Sequence, residues 1–247
     1  MGLIVQKFGG TSVADRICIY NVANIIARRV KEGNDVVTVV SAQGDTTDQL
    51  LAKAHEIAAD PDPRELDALI ATGEQTAAAL LAIALNSIGV PAVSLNGEQA
   101  GILTDDIYGE AHIKSINRNR IRQYLDRGVT VVITGFQGIN TAGNTTTLGR
   151  GGSDASAVAI AASLHADSCR IYKDVDGIYT ADPRKDPEAK KLDHITYDEM
   201  LALSDSGSGV LQRRSIELAA KHGIELRILS SFQLTSGTII NGGQTIQ

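Results

Sequence analysis

A lysine, paired glycines and two hydroxyls stand directly after an apolar run in the segment KFGGTSV, residues 7–13. Two chemistries fit that order. Gly9 and Gly10 would let backbone N–H groups approach phosphate oxygens without a Cβ in the way. Lys7, at the end of a strand, would supply a point charge to a transferring phosphoryl group. The same residues also make an ordinary polar turn between a strand and a helix. The spacing is not that of a P-loop, where lysine follows the glycines, nor of the GxGxxG dinucleotide loop.

Further segments carry groups of the same kind. In LGRGGSD (148–154), Gly149, Gly151 and Gly152 form an exposed backbone nest, with Ser153 or Asp154 placed to cap the helix that follows. A helix N-terminus favours anions, and Arg150 between the glycines offers a fork that grips a carboxylate or phosphate. KDVDGIYTADPR (173–184) crowds Asp174, Asp176, Tyr179, Asp182 and Arg184 into one loop without EF-hand ligand spacing. It reads equally as a solvated acidic turn or as a nucleotide site with an aromatic wall and an arginine. Glu74, in TGEQT (72–76), interrupts an alanine- and leucine-rich helical stretch. A carboxylate there faces solvent or points into a pocket, where it would bind an ammonium group.

The elements that position these groups follow from hydrophobic periodicity. Strand-like runs cover residues 3–6, 35–40, 92–95, 129–134, 168–172, 225–229 and 237–240. Helical patterns cover 17–31, 48–58, 64–87, 113–127, 154–164, 197–203 and 210–222. Runs such as DVVTVV and VTVVIT are almost continuously apolar, as in a parallel sheet covered on both faces. The expected fold is a three-layer αβα sandwich with a mainly parallel central sheet. In such sheets ligands sit beyond the carboxyl ends of the strands, where KFGGTS, SAQGDTTD (41–48), TGFQG (134–138) and KDVDGIYTADPR all fall. Gly33, Gly89, Gly128 and Gly223 each follow a helical segment, as left-handed C-terminal residues do. ADPDPRE (59–65) is a proline turn before a helix, and 97–108 is a hairpin or lid. Residues 1–240 read as one domain and 241–247 as a tail or the start of a linker.

A chain of 247 residues with 43% hydrophobic and 21% charged residues has the composition of a soluble globular protein. A net charge of −6 argues against a nucleic-acid partner. Cys18 and Cys169, each in an apolar segment, suit buried thiols in a reducing compartment. No histidine lies at ligand spacing from another histidine or a cysteine. ALLAIAL, the longest apolar run, is too short to span a bilayer. A cytoplasmic location is expected, with no membrane partner.

In order and spacing, KFGGTSV, VSAQGDTTDQLL, ATGEQ, GFQG, GRGGSD and DVDGIYTADPR resemble the motifs of the amino acid kinase family, and within it those of the aspartokinase catalytic domain. The resemblance covers the chain to about residue 240. It implies ATP-dependent, Mg²⁺-assisted phosphorylation of the L-aspartate β-carboxylate, at the entry to lysine, threonine, methionine and diaminopimelate synthesis, by a homodimer. By motif position, Lys7, Gly9, Gly10 and Asp154 handle the transferring phosphate. Ser41, Thr47, Glu74 and Arg150 hold aspartate, with Glu74 near its amino group and Arg150 on its α-carboxylate. Asp174, Tyr179 and Arg184 line the nucleotide site.

Three departures stand out. The family's KVLHPR segment reads GVLQRR here, so that Gly209 replaces a lysine that reaches the nucleotide phosphates. Lys173 replaces the usual threonine of TDVDG, and Gln43 the methionine of SAMG. Either Lys173 restores the charge, or Arg213 or Arg214 swings in, or the chain is a kinase adapted to another amino-acid carboxylate, or a binding subunit without turnover. The family's ACT regulatory domains are absent from this sequence, so feedback inhibition is not expected of it.

Overall fold

The computed structural model describes residues 2–183, 186–205 and 210–243. In chain order the elements are β1 (Leu3–Phe8), a 3-10 turn (Gly10–Val13), α1 (Arg16–Lys31), β2 (Asp35–Val40), α2 (Thr46–Ile57) and α3 (Pro63–Ser87). Next come β3 (Ala92–Leu95), β4 (Ile102–Thr104), β5 (Ile113–Ile116), α4 (Asn119–Leu125), β6 (Thr130–Thr134), β7 (Gln137–Ile139) and β8 (Thr145–Thr147). The remainder is α5 (Gly152–Leu164), β9 (Ser168–Lys173), β10 (Ile178–Tyr179), β11 (Lys191–Leu192), β12 (His194–Thr196), α6 (Tyr197–Asp205), α7 (Arg213–His222), β13 (Leu226–Ser230) and β14 (Thr238–Asn241).

Eight strands form the central sheet in the order β12-β14-β13-β9-β1-β2-β6-β3, parallel throughout except for the β13–β14 pair. Its middle strands are β-branched and buried on both faces, as parallel strands covered by helices must be. The two-residue side-chain period sorts them into two cores. Leu3, Val5, Val37 and Val39 pack with α5 and α7, whereas Phe8, Val36 and Val40 pack with α1 and α3. The ring of Phe8 stacks on that of Tyr172 across β1 and β9, with centroids 4.5 Å apart and planes 15° apart.

A second sheet, β5-β4-β7-β8, lies beyond the main one. It corrects the sequence reading at one point. The stretch 113–127 is not one helix: Ile113 and Ile116 lie on β5, paired with β4, and the helix starts only at Asn119. The isoleucines at 113, 116 and 121 imitate a helical period although a strand supplies the first two. The expected hairpin or lid at 97–108 contributes β4 to this sheet.

The punctuation behaves as expected. Gly33, Gly89, Gly128 and Gly223 all have positive φ. Pro63 opens α3 behind Asp62, whose carboxylate accepts from the N–H groups of Arg64 (3.0 Å) and Glu65 (3.2 Å). By length and composition the 25-residue α3 could cross a bilayer. Here it serves as a core helix, with Asp67 and Glu74 buried along it.

Candidate active site

Lys7 and Lys173 are directed by strand parity. Lys7 continues the Leu3–Val5 face of β1, and Lys173 continues the Cys169–Ile171 face of β9, so both end the strands on the α5 side. There they meet one carboxylate. Asp154, in the first turn of α5 and 4% exposed, lies 2.7 Å from Lys7 Nζ through Oδ1 and accepts from Lys173 Nζ at 3.0 Å through Oδ2. Burial pushes its carboxyl up, but the charges of Lys7 and Lys173 outweigh that and hold it below the ordinary aspartate range. Two cations on one anion leave the cluster with a net positive charge, available to a phosphate.

The glycines build the floor. Gly10 runs so close to the next loop that a Cβ on it would stand 2.7 Å from the Ala42 carbonyl oxygen. Gly9 turns its open face toward the lysine, and a Cβ there would come within 3.7 Å of Lys7 Nζ. The glycine thus leaves the backbone open beside an amine. Gln43 Nε2 donates to the Val13 carbonyl at 2.7 Å, fastening the loop after β2 to the 3-10 turn. Ser12 Oγ and Ser231 Oγ, 2.6 Å apart and buried, join that turn to the end of β13.

The nest in LGRGGSD forms, but its cap differs from expectation. Neither Ser153 nor Asp154 caps α5: the N-cap is Gly151 at φ 70°, with no side-chain acceptor. The Gly152 and Asp154 N–H groups are instead taken by the backbone carbonyls of Gly149 and Gly151, at 3.0 and 3.2 Å. The left-handed backbone favours glycine at 151, and a side chain there would also have to push the flexible Gln212 side chain aside. Arg150 is exposed, and its carbonyl accepts from Arg214 Nη2 at 3.2 Å. Arg213 points elsewhere, to Asp205 (2.6 Å) and Glu217 (2.8 Å). Of the two arginines, Arg214 alone reaches the loop.

Glu74 occupies the α3 side of the same edge. It is 3% exposed, and Oε1 accepts from the Ala42 N–H at 3.1 Å. Oε2 is buried without a partner. Burial raises its carboxyl to about 7, against the opposing pull of the Ala42 N–H and the Lys7 charge. Of the two readings, the solvent-facing one fails, because the side chain is buried. Ser41 and Thr47 lie half-buried on the neighbouring loop and first turn of α2, with the Ser41 N–H bonded to the Phe8 carbonyl at 3.1 Å.

The loop after β9 is more open. Asp174 is exposed, and Tyr179 donates its hydroxyl to Asp176 Oδ1 at 3.0 Å. Arg184 and Gly209 lie outside the described residues. Sequence reasoning passed over three contributors. Phe136 holds φ 68° in the TGFQG turn while its N–H donates to Ser156 Oγ at 3.0 Å. Gln212 packs on the nest, and Asp67 is buried in α3. Only Asp67 left a signal, as an acid on the same helical stripe as Glu74.

The amino acid kinase family model matches residues 2–230. An aspartokinase of Bacillus sp. (strain MGA3) is 52% identical over the whole of this chain and 60% of its own length. An aspartokinase of Pseudomonas aeruginosa is 52% identical over 97% of this chain and 58% of its own. The chain thus spans about 60% of the length of the curated relatives it matches. Among solved structures, Synechocystis aspartate kinase superposes with a TM-score of 0.88 at 46% identity, covering 99% of this chain and 40% of that one. E. coli aspartokinase III in complex with aspartate and ADP gives a TM-score of 0.89 at 28% identity, covering 99% of this chain and 65% of that one. The parallel sheet, the glycine-lined edge and these matches agree: the chain belongs to the amino acid kinase family.

Proposed function

We propose that this chain is an aspartate kinase catalytic domain, spanning residues 1–240, which transfers the γ-phosphoryl group of ATP to the β-carboxylate of L-aspartate. The products are 4-phospho-L-aspartate and ADP. The observation that carries this reading is the pairing of a doubly cationic Asp154 site with a buried, half-bonded Glu74 at one sheet edge. The first suits phosphate and the second an ammonium group. Relatives named aspartokinase at about half identity, and an E. coli relative crystallised with aspartate and ADP, support the same assignment.

Each role follows from the chemistry at its position. A carboxylate oxygen of aspartate is already nucleophilic, so no general base is required. It attacks the γ-phosphorus as the bond to the β-phosphate oxygen breaks, and the electron pair leaves with ADP. Positioning and charge neutralisation do the work. Lys7 and Lys173 face the transferring group, with Asp154 holding both amines and Gly9 and Gly10 giving backbone access. Glu74 receives the α-ammonium on its free oxygen, beside Ser41 and Thr47, and Arg150 takes the α-carboxylate. Asp174, Tyr179 and Arg184 border the nucleotide. Mg²⁺ carried on the nucleotide phosphates would add charge neutralisation, and Lys173 supplies the cation that Gly209 lacks. A cytoplasmic homodimer is the expected working form, and amino-acid biosynthesis its setting.

The test is ADP release and hydroxamate formation with a panel of acidic amino acids. Turnover with aspartate in preference to glutamate is expected. Nucleotide binding without turnover of any member would overturn the reading, and turnover with a different carboxylate would redirect it.

A further inference from the structure

Four residues on one face of α3 fasten the helix to the rest of the site. Arg64 donates to Asn144 Oδ1 at 3.3 Å, and the carbonyl of Ala71 accepts from Gln137 Nε2 at 2.9 Å. Glu74 reaches Ala42, and Asp67 lies between. The spacing of 64, 67, 71 and 74 is one helical stripe. Asp67 makes the densest of these attachments. It is 1% exposed and accepts from Thr147 Oγ1 at 2.6 Å, the Thr147 N–H at 2.8 Å and the Gly109 N–H at 3.0 and 3.1 Å.

Those donors flank the glycine nest. Thr147 stands three residues before Arg150. The Gly109 carbonyl lies so close to Gly149 that a Cβ there would come within 2.8 Å. The Ala111 N–H also bonds the Thr147 carbonyl at 2.8 Å, tying both donor segments together. Asp67 and Glu74 sit two turns apart on a rigid helix. One addresses the substrate directly, the other the strand that leads into Arg150.

We infer that Asp67 is a positioning residue that sets Arg150 at the correct distance from Glu74, so that the two anchors match the α-carboxylate and α-ammonium of one amino acid. No acid among the described residues other than Asp67 is bonded to Thr147. The inference rests on the aspartate kinase reading.

Asp67→Asn keeps the shape but puts an NH₂ group against N–H and O–H donors. Losing hydrogen bonds to a buried charge should raise KM for aspartate about 10- to 100-fold, with KM for ATP changed less than about twofold. In an Arg150→Ala background, Asp67→Asn should add almost nothing, because its effect runs through Arg150. Thr147→Ser keeps the donor and should behave as the parent, while Thr147→Val gives a milder form of the same split if Asp67→Asn fails to fold. Equal rises in both KM values, or the full effect persisting without Arg150, would overturn the inference. A parent chain that releases no ADP with aspartate would instead remove the function beneath it.

Discussion

Two buried carboxylates stand at the same sheet edge in opposite electrostatic states. Asp154 is held by two lysines and stays ionised below its ordinary range. Glu74 has one backbone N–H and one bare oxygen, and burial lifts it to about 7. A buried charge is tolerated when paired and costly when not. The phosphate side therefore arrives complete and keeps spare positive charge for a ligand. The Glu74 side is incomplete, and on the proposed function an incoming ammonium supplies the missing partner. One half is preorganised and the other is finished by the substrate, so disabling each should damage a different kinetic constant.

The largest effect is expected at Lys7. Lys7→Met removes the more deeply buried of the two amines and should lower kcat on the order of 10³-fold, with KM for aspartate nearly unchanged, as steady-state kinetics would show. A rise in KM alone would dissolve the contrast.

Glu74→Gln should raise KM for aspartate roughly 10- to 100-fold while sparing nucleotide affinity measured by calorimetry. It should also change stability. The ordinary glutamate value is 4.5 and the folded value about 7. Between those values the folded chain keeps a proton that the unfolded chain has released, so stability falls as pH rises through the window and levels off above 7. The total is on the order of 3 kcal/mol. Urea melts across this range should slope downward for the parent and flatten for Glu74→Gln. In the parent, aspartate affinity should improve as pH rises toward 7.

The smallest effect is expected at Lys173, which is more open than Lys7. Lys173→Thr should reduce kcat/KM for ATP by about tenfold, since Lys7 still holds Asp154. Unchanged ATP kinetics would take Lys173 out of the phosphate site.

Much of this was legible in residue order. The boundaries at 35–40 and 92–95 agree with β2 and β3, because DVVTVV is almost continuously β-branched and the short run AVSL is closed off by Pro91 and Asn96. Lys7, Asp154 and Glu74 announced themselves as charges in apolar or glycine-rich surroundings. The second sheet did not. Its strands are three or four residues long, such as ILT, QGI and TTT, too short to show a period. Asp67 was hidden for a related reason: its partners lie 42 and 80 residues away, one in the loop between β4 and β5 and one on β8. The cap of α5 misled because Ser153 and Asp154 are good capping residues, yet the left-handed Gly151 is the cap and both lie inside the first turn.

The stacked rings of Phe8 and Tyr172 have a mechanical consequence. Phe8 follows Lys7 and Tyr172 precedes Lys173, so the stack is a spacer between the strand ends that carry the two amines. Parting those amines would mean dragging one aromatic face across another inside a close-packed layer. The charged end of the site is thus an anvil, with its two amines held at a fixed separation on either side of one carboxylate.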